Sequence, residues 1–248
     1  MPLQQAGPTL VRSTPQSTQT ECMHQRRHIH PLQWAMAAFS LLAALSAHCG
    51  YFSAYAVLKP LPMVFGMACV WITARPSRYP IAWALLLVGL FLSMVGDISL
   101  LFEKGFVLGL AAFLCAHMAY LFVLRRETTR WLPSTVAALV FAAVGLALYG
   151  YLWTHGLPHH LRPPVLAYVC VIAAMAAQAM GRAQQLRTSA AWCVALGAIS
   201  FMTSDSILAM DKFVAPLPAA YLWVLGTYYL AQWLIVHGMV AALREKHT

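Results

Sequence analysis

The sequence predicts an all-α membrane protein with eight transmembrane helices. Of its 248 residues, 61% are hydrophobic and only 9% are charged, whereas a soluble domain carries roughly 25% charged residues. Eight apolar stretches are long enough to cross a bilayer, which takes a helix of about 20 residues. Basic residues occur between these stretches in an alternating pattern, which is typical of membrane topology.

The predicted spans follow a polar tail. Residues 1–33 are rich in Ser, Thr, Gln and Pro and lack the apolar core of a cleavable signal peptide, so we expect them to be disordered. The transmembrane domain then covers 34–242, and a short basic tail covers 243–248. Lys59 and the prolines beside it make the second span the least regular. The eight predicted spans are 34–52, 55–73, 80–101, 105–124, 131–153, 163–181, 189–210 and 219–242.

The positions of the basic residues predict how the spans are oriented. Both tails and the loops after spans two, four and six hold most of the 16 Lys and Arg residues. The opposite loops hold only Lys104, Arg162 and Lys212. Because positively charged loops remain in the cytoplasm, we expect both termini to be cytoplasmic, in the inner membrane if the source is bacterial. The basic residues on this side are Arg12, Arg26, Arg27, Arg75, Arg78, Arg125, Arg126, Arg130, Arg182, Arg187, Arg244 and Lys246.

The net charge of +9 therefore indicates topology and not a nucleic-acid partner. Nucleic-acid binding requires a basic stripe with exposed aromatic residues, and the sequence has none, so the expected partner is the lipid bilayer. The six cysteines include no Cys-x-x-Cys pair. Two groups of histidines, at 24–30 and 155–160, have no carboxylate or thiolate partner in a fixed frame. We expect no metal site and no cofactor.

An internal repeat relates the two halves of the chain. The segment GDISL at 96–100 resembles SDSIL at 204–208, and the resemblance continues on both sides. Spans three and four therefore look like a copy of spans seven and eight. Because each half then holds four spans, an even number, we predict two parallel four-helix repeats about an axis along the membrane normal. The further matched pairs are Gly89 and Gly197, Glu103 and Asp211, Lys104 and Lys212, and Tyr120 and Tyr228.

Asp97 and Asp205 lie inside two of the predicted spans. A charged group in the hydrocarbon core costs about 2.5–3.5 kcal/mol on insertion scales, so such residues usually serve a function. The repeat places the two aspartates at equivalent depth, and we expect them to face each other across the bundle. Small residues precede each of them on the same face, which lets helices approach closely. The alternative is that both aspartates only bind neighbouring helices by hydrogen bonds.

Other polar residues accompany the aspartates. His117 and Tyr120 are three residues apart and share a face of span four. Tyr228 and Gln232 are four residues apart and share a face of span eight, which Tyr229 borders. A histidine or tyrosine in a membrane helix is more often a satisfied core residue. The position of this set on helices next to the aspartates favours a shared site.

Lys59 begins the second span near the non-cytoplasmic face. Its charge suits a phosphate or one of the aspartates as a partner, and the alternative is that its side chain snorkels to the membrane surface. The prolines beside it free backbone groups, which is typical of helices that shape the mouth of a cavity.

Five short motifs stand out in this order: Lys59-Pro60-Leu61, Gly96-Asp97 followed by Phe106, His117 with Tyr120, Ser204-Asp205-Ser206, and Thr227-Tyr228-Tyr229 with Gln232 and Gly238. Together they resemble the YhhN family of membrane proteins, whose characterised animal members are lysoplasmalogenases. The resemblance covers roughly residues 35–241. It implies an eight-span helical fold and hydrolysis of the vinyl-ether bond of a lysoplasmalogen or a related lysolipid. This lysophospholipid substrate would yield a fatty aldehyde and glycerophospho-ethanolamine or -choline.

Vinyl-ether hydrolysis needs a general acid that protonates the β-carbon, a carboxylate that stabilises the resulting oxocarbenium ion, and a positioned water molecule. Two carboxyl groups in a water-poor site supply these functions if one stays protonated and the other ionised. We therefore predict Asp97 and Asp205 as the catalytic pair, with Lys59 binding the phosphate. The residues predicted to orient substrate and water are His117, Tyr120, Tyr228, Tyr229 and Gln232.

Three other classes of function fit parts of the pattern. Parallel repeats with carboxyl groups inside the membrane also suit a proton-coupled transporter of small molecules or lipids. An intramembrane aspartyl protease also pairs two aspartates, but Met94 and Val95 precede Gly96-Asp97 here, so its Gly-x-Gly-Asp pattern is missing. A lipid-binding or structural protein would use the polar residues for packing only.

Overall fold

The described part of the computed structural model, residues 30–73 and 79–245, is helical apart from its connections. It contains nine α-helices, and seven of its helical segments are long and apolar enough to cross a membrane. The prediction of an all-α membrane protein is confirmed. The tail as far as residue 29, the loop residues Arg75 and Arg78, and the last three residues lie outside the described residues, together with the predictions made for them.

The helices keep the order of the predicted spans. The seven candidate spans are α2 joined to α3, and then α4 to α9. α1 is not among them, since polar residues such as Gln33 and His48 lie near its ends, so the count of eight spans stays a prediction. The helices are α1 (Pro31–His48), α2 (Phe52–Leu58), α3 (Leu61–Thr73), α4 (Pro80–Ser99), α5 (Phe106–Arg125), α6 (Thr135–His155), α7 (Arg162–Leu186), α8 (Ser189–Phe213) and α9 (Ala220–Glu245).

The helices begin at local sequence signals. Proline occupies the first turn of α1, α4 and α7, where its missing N–H costs no helical hydrogen bond. The side chain of Ser134 accepts a hydrogen bond from the Ala137 N–H at 3.3 Å and caps α6. Thr188 caps α8 in the same way through the Ala191 N–H at 3.2 Å. The Ser134 cap explains why α6 begins four residues after the predicted start of span five at 131.

The second span is broken where the sequence places Lys59 and its prolines. Because proline has no N–H to continue the helical hydrogen bonds, the helix is interrupted between α2 and α3, and the Met63 N–H donates to the Pro60 carbonyl at 3.1 Å. The Lys59 carbonyl instead accepts a hydrogen bond from the Tyr229 hydroxyl at 3.1 Å. A side chain of α9 therefore satisfies a backbone group that the break sets free.

Two glycines of the predicted repeat allow close approach of neighbouring helices. A Cβ atom at Gly89 would lie 2.3 Å from Cε1 of Tyr120, so α4 and α5 pack closely only because residue 89 has no side chain. A Cβ atom at Gly197 would lie 2.9 Å from the Ala231 carbonyl oxygen, which brings α8 and α9 together in the same manner. Both glycines thus allow close helix contacts, one between α4 and α5 and one between α8 and α9.

The helices of each half pack in chain order, and each half also contacts the other. In the first half α1 packs on α3, α3 on α4 and α4 on α5; in the second half α6 packs on α7, α7 on α8 and α8 on α9. Between the halves, α5 packs on α7, and α9 packs on α1 and α3. The hydrophobic core lies mainly along α5, α7, α8 and α9.

A buried ion pair fastens the connection between α5 and α6 to α7. Glu127, in this connection, pairs with Arg182, which is only 1% exposed. Gln178, one turn earlier on α7, donates to the Thr128 hydroxyl at 2.7 Å and accepts from the Leu132 N–H at 2.7 Å. From the sequence we predicted that span six ends at residue 181 and that Arg182 lies in the loop after it. The helix continues to residue 186 because Glu127 neutralises Arg182 inside the bundle.

Removal of the Glu127 carboxylate should destabilise the protein strongly. In Glu127→Ala the Arg182 charge stays buried without its ionic partner, so we expect a loss of about 3–5 kcal/mol and a fall in melting temperature of roughly 10 °C in detergent. Glu103→Ala removes an exposed carboxylate and should change the melting temperature little. Equal melting temperatures for the wild type and Glu127→Ala would show that the pair is energetically neutral.

Candidate functional site

The two intramembrane aspartates bind different tyrosines. The Tyr228 hydroxyl on α9 donates to Oδ2 of Asp97 on α4 at 2.6 Å. The Tyr168 hydroxyl on α7 donates to Oδ2 of Asp205 on α8 at 2.5 Å. The residues predicted to form one site therefore belong to two groups, which we call the Asp97 cluster and the Asp205 cluster.

The Asp97 cluster is closed to its surroundings. Asp97 is 2% exposed and Lys59 is 5% exposed. The Lys59 ammonium lies 5.4 Å from the centroid of the Tyr55 ring and interacts electrostatically with Asp97. Two opposite charges buried together cost far less than either would alone. The burial of Lys59 in this cluster is consistent with an aspartate partner, one of the two roles predicted for it from the sequence.

Tyr120 and Gln232 extend the Asp97 cluster. The Tyr120 hydroxyl donates to Oε1 of Gln232 at 3.0 Å and lies 3.5 Å from the Ser93 hydroxyl. All three side chains are buried. The cluster thus unites six predicted site residues from α4, α5, α9 and the break between α2 and α3, namely Lys59, Asp97, Tyr120, Tyr228, Tyr229 and Gln232.

The Asp205 cluster contains only one other predicted residue, His117. Its Nε2 atom lies 3.8 Å from Oδ2 of Asp205. The imidazole is fully buried, and within residues 30–73 and 79–245 neither ring nitrogen has a hydrogen-bond partner. The contacts from Tyr168 and His117 both reach Oδ2 of Asp205.

Tyr168 is the site residue that the sequence reasoning missed. A tyrosine in an apolar helix with no polar neighbour at helical spacing gives no local signal. The repeat offers one, since the spacing that matches Asp205 to Asp97 also matches Tyr168 to Pro60, the residue after Lys59. Tyr168 on α7 thus matches, in the predicted repeat, a position in the break between α2 and α3 that follows Lys59.

Aromatic rings separate the two clusters. The Phe201 ring packs edge-on against the His117 ring of the Asp205 cluster, with 4.4 Å between the ring centroids. It packs in the same way against the Tyr228 ring of the Asp97 cluster, with 5.3 Å between the centroids. Phe113 contacts both Phe201 and Tyr228, at centroid distances of 6.3 and 5.8 Å. These rings thus lie between the two clusters, and Asp97 is not among the residues that line the cavity beside Asp205.

A cavity lies beside Asp205. It has a volume of about 60 Å³ and runs between α5, α6, α7 and α8. Its lining is apolar except for Tyr168, Asp205 and Ser206. The Asp205 side chain is 16% exposed, in contrast to the closed Asp97. The lining residues are Leu100, Phe106, Leu110, Phe113, Gly145, Leu148, Leu152, Val165, Tyr168, Val169, Ile172, Met202, Asp205, Ser206, Leu208, Ala209 and Phe213.

The cavity suits a long apolar molecule with one reactive or polar group. Aliphatic and aromatic walls bind a hydrocarbon chain through the hydrophobic effect and dispersion. A single carboxyl group in these walls, held by the Tyr168 hydroxyl, meets the ligand at one defined point. Such a group acts as a proton donor when protonated and as a proton acceptor when ionised.

Comparisons with known proteins add an independent observation. The model of the YhhN family matches residues 54–239. Human lysoplasmalogenase TMEM86B is 32% identical over 238 residues, which cover 93% of this chain and 94% of that protein. Lysoplasmalogenase TMEM86B of Rattus norvegicus is 33% identical over 77% of this chain and 73% of its own length. A lysoplasmalogenase of Mycobacterium tuberculosis is 30% identical over 62% of this chain and 59% of its own length. No solved structure matches.

Proposed function

This chain belongs to the YhhN family, and from that membership we propose that it cleaves the vinyl-ether bond of lysoplasmalogens or of a closely related lysolipid. The products are a fatty aldehyde and glycerophospho-ethanolamine or -choline. The observation that carries the proposal is the apolar cavity that reaches the Asp205 carboxyl group. The cavity binds the hydrocarbon chain, and the carboxyl group meets the bond where the chain joins the glycerol.

Asp205 is the proposed general acid and base. Its protonated form donates to the β-carbon of the vinyl ether, which leaves an oxocarbenium ion at the ether carbon and oxygen. The ionised carboxylate stabilises this cation and then accepts a proton from the water molecule that adds to the ether carbon. The resulting hemiacetal loses its glycerol oxygen, so that one water is consumed and aldehyde and alcohol are formed. The Tyr168 hydroxyl holds Oδ2, and we assign the proton transfer to Oδ1.

The Asp97 cluster has a different proposed role. Because Asp97 is closed off and hydrogen-bonded to Tyr228, we assign it to positioning and not to proton transfer. Its hydrogen bond fixes Tyr228, whose ring supports Phe113 and Phe201. Phe113 lines the cavity, and Phe201 packs on His117. Of the two aspartates predicted as a catalytic pair, we thus assign Asp205 to the reacting atoms and Asp97 to the support of the aromatic rings next to the cavity.

The topology belongs to the same proposal. We assign α1 as the first of eight spans and α2 with α3 as the second, with both termini cytoplasmic and two parallel four-helix repeats. The contacts between the halves support the repeats, because α5 on α7 and α9 on α3 are equivalent pairs under exchange of the halves. In a bacterium the protein would lie in the inner membrane.

Release of fatty aldehyde tests the proposed reaction. Purified protein should release aldehyde from a lysoplasmalogen and no fatty acid from the ester lysolipid with the same chain and head group, as measured by lipid mass spectrometry. Fatty acid from the ester would indicate a different hydrolase. The transporter alternative would be favoured if the protein forms no aldehyde and instead moves lipid across liposome membranes in response to a pH gradient.

A further inference from the structure

A lysine on the same helix face as Asp205 lies beside two residues that line the cavity. Lys212 follows Asp205 by seven residues, which is two turns of α8. Its ammonium lies 5.4 Å from the centroid of the Phe106 ring, and Phe106 lines the cavity and packs edge-on against Phe213 at 5.5 Å. The exposed Lys212 therefore carries its charge to the rim of the cavity.

An arginine lies on a neighbouring helix that also lines the cavity. Arg162 begins α7 and is one turn before Val165, a lining residue, so the two share a helix face. Its guanidinium stacks 3.9 Å from the centroid of the Trp153 ring. The Nε atom is buried and has no hydrogen-bond partner in the part of the chain that the structure describes. A guanidinium fixed by stacking, with a donor to spare, suits an anionic oxygen.

We propose that Lys212 and Arg162 form the subsite that binds the phosphate of the substrate head group; this rests on the proposed function of the cavity. The rise along α8 from Asp205 to Lys212 is about 10 Å. Six bonds separate the reacting carbon of a lysoplasmalogen from its phosphorus, which spans about 7 Å when extended. With the reacting bond at Asp205, the phosphate reaches the rim, and the flexible Lys212 stem covers the remaining distance.

The subsite replaces the phosphate role that the sequence suggested for Lys59. Lys59 is closed off in the Asp97 cluster, against Tyr55 and Asp97, and is not a lining residue of the cavity. Asp211, the acidic neighbour of Lys212, accepts a hydrogen bond from the Leu217 N–H at 2.8 Å. The Asp211 carboxylate therefore serves the backbone at the end of α8.

The test separates recognition of the phosphate from recognition of the chain. The probes are a lysoplasmenylcholine and the 1-alkenylglycerol with the same chain, which lacks the phosphate. Lys212→Ala should raise KM for the first about tenfold and leave kcat/KM for the second unchanged. The matched control is Arg126→Ala, which removes an exposed basic residue at the other end of α5 and should change neither value. Arg162→Ala should behave like Lys212→Ala.

A binding measurement keeps this inference distinct from the proposed reaction. The non-cleavable 1-alkyl lysophosphocholine and 1-alkylglycerol are titrated against each variant, with quenching of tryptophan fluorescence as the readout. The wild type should bind the 1-alkyl lysophosphocholine more tightly than the 1-alkylglycerol. In Lys212→Ala the ratio of the two dissociation constants should shrink about tenfold. An unchanged preference in both Lys212→Ala and Arg162→Ala would overturn the subsite, even if the wild type releases aldehyde. If the wild type releases no aldehyde but its preference for the phosphate-bearing ligand still depends on Lys212, the proposed reaction is wrong and the subsite stands.

Discussion

Asp205→Asn should lower kcat for a lysoplasmalogen by about 10²–10⁴-fold, whereas Asp97→Asn should retain most of the wild-type rate. Asparagine at 205 keeps the size and the acceptor for Tyr168 but cannot exchange a proton with the substrate, so the whole contribution of the general acid is lost. Asparagine at 97 keeps an acceptor for Tyr228, which preserves the wall behind the cavity. The measurement is aldehyde release under saturating substrate.

Two controls make the comparison between the aspartates decisive. Melting temperatures in detergent must show that both variants fold. Tyr228→Phe should also keep most of the wild-type rate, since it removes the hydrogen bond to Asp97 but keeps the aromatic ring. If Asp97→Asn is as inactive as Asp205→Asn while remaining folded, the aspartates act as the catalytic pair predicted from the sequence. If Asp205→Asn turns over normally, the carboxyl group at the cavity is not the acid.

The helical fold could be predicted because the bilayer constrains features that can be read directly along the sequence. Helices need a minimum apolar length, and free backbone groups are tolerated only where protein satisfies them. The break between α2 and α3 followed from Lys59 and its prolines in this way, and the close approach at Gly89 and Gly197 followed from the repeat. α1 shows the limit of the rule, since its polar Gln33 is accommodated by α9, where Nδ1 of His237 lies 3.2 Å from the Gln33 side-chain oxygen.

The partition of the site could not be predicted, because spacing along one helix does not determine which neighbouring helix it meets. His117 and Tyr120 share a face of α5, yet His117 contacts Asp205 while Tyr120 binds Gln232 in the other cluster. One turn of helix is enough to separate them across the Phe201 ring. The same limit hid Tyr168, whose contact with Asp205 depends on how α7 packs against α8.

Met202→Trp should change which chain lengths the enzyme accepts. Met202 lines the cavity one turn before Asp205, and Lys212 lies two turns after it, so the hydrocarbon chain and the head group extend in opposite directions from the reacting bond. Tryptophan at 202 fills the chain end and displaces a long substrate from the acid. Because a misplacement of about 1 Å can cost on the order of 10² in rate, kcat/KM for long-chain lysoplasmalogens should fall by about that factor.

Substrates with a chain about half as long provide the contrast, because they leave the space near Met202 unfilled and should lose far less activity. Met67→Trp is the matched control, since Met67 lines an open groove between α3 and α4 on another surface of the bundle. That variant should keep the wild-type preference for chain length. A uniform loss for all chain lengths in Met202→Trp would indicate damage to the bundle. An unchanged profile would mean that the hydrocarbon chain does not occupy the cavity, and the assignment of Asp205 to the reacting bond would then lose its geometric basis.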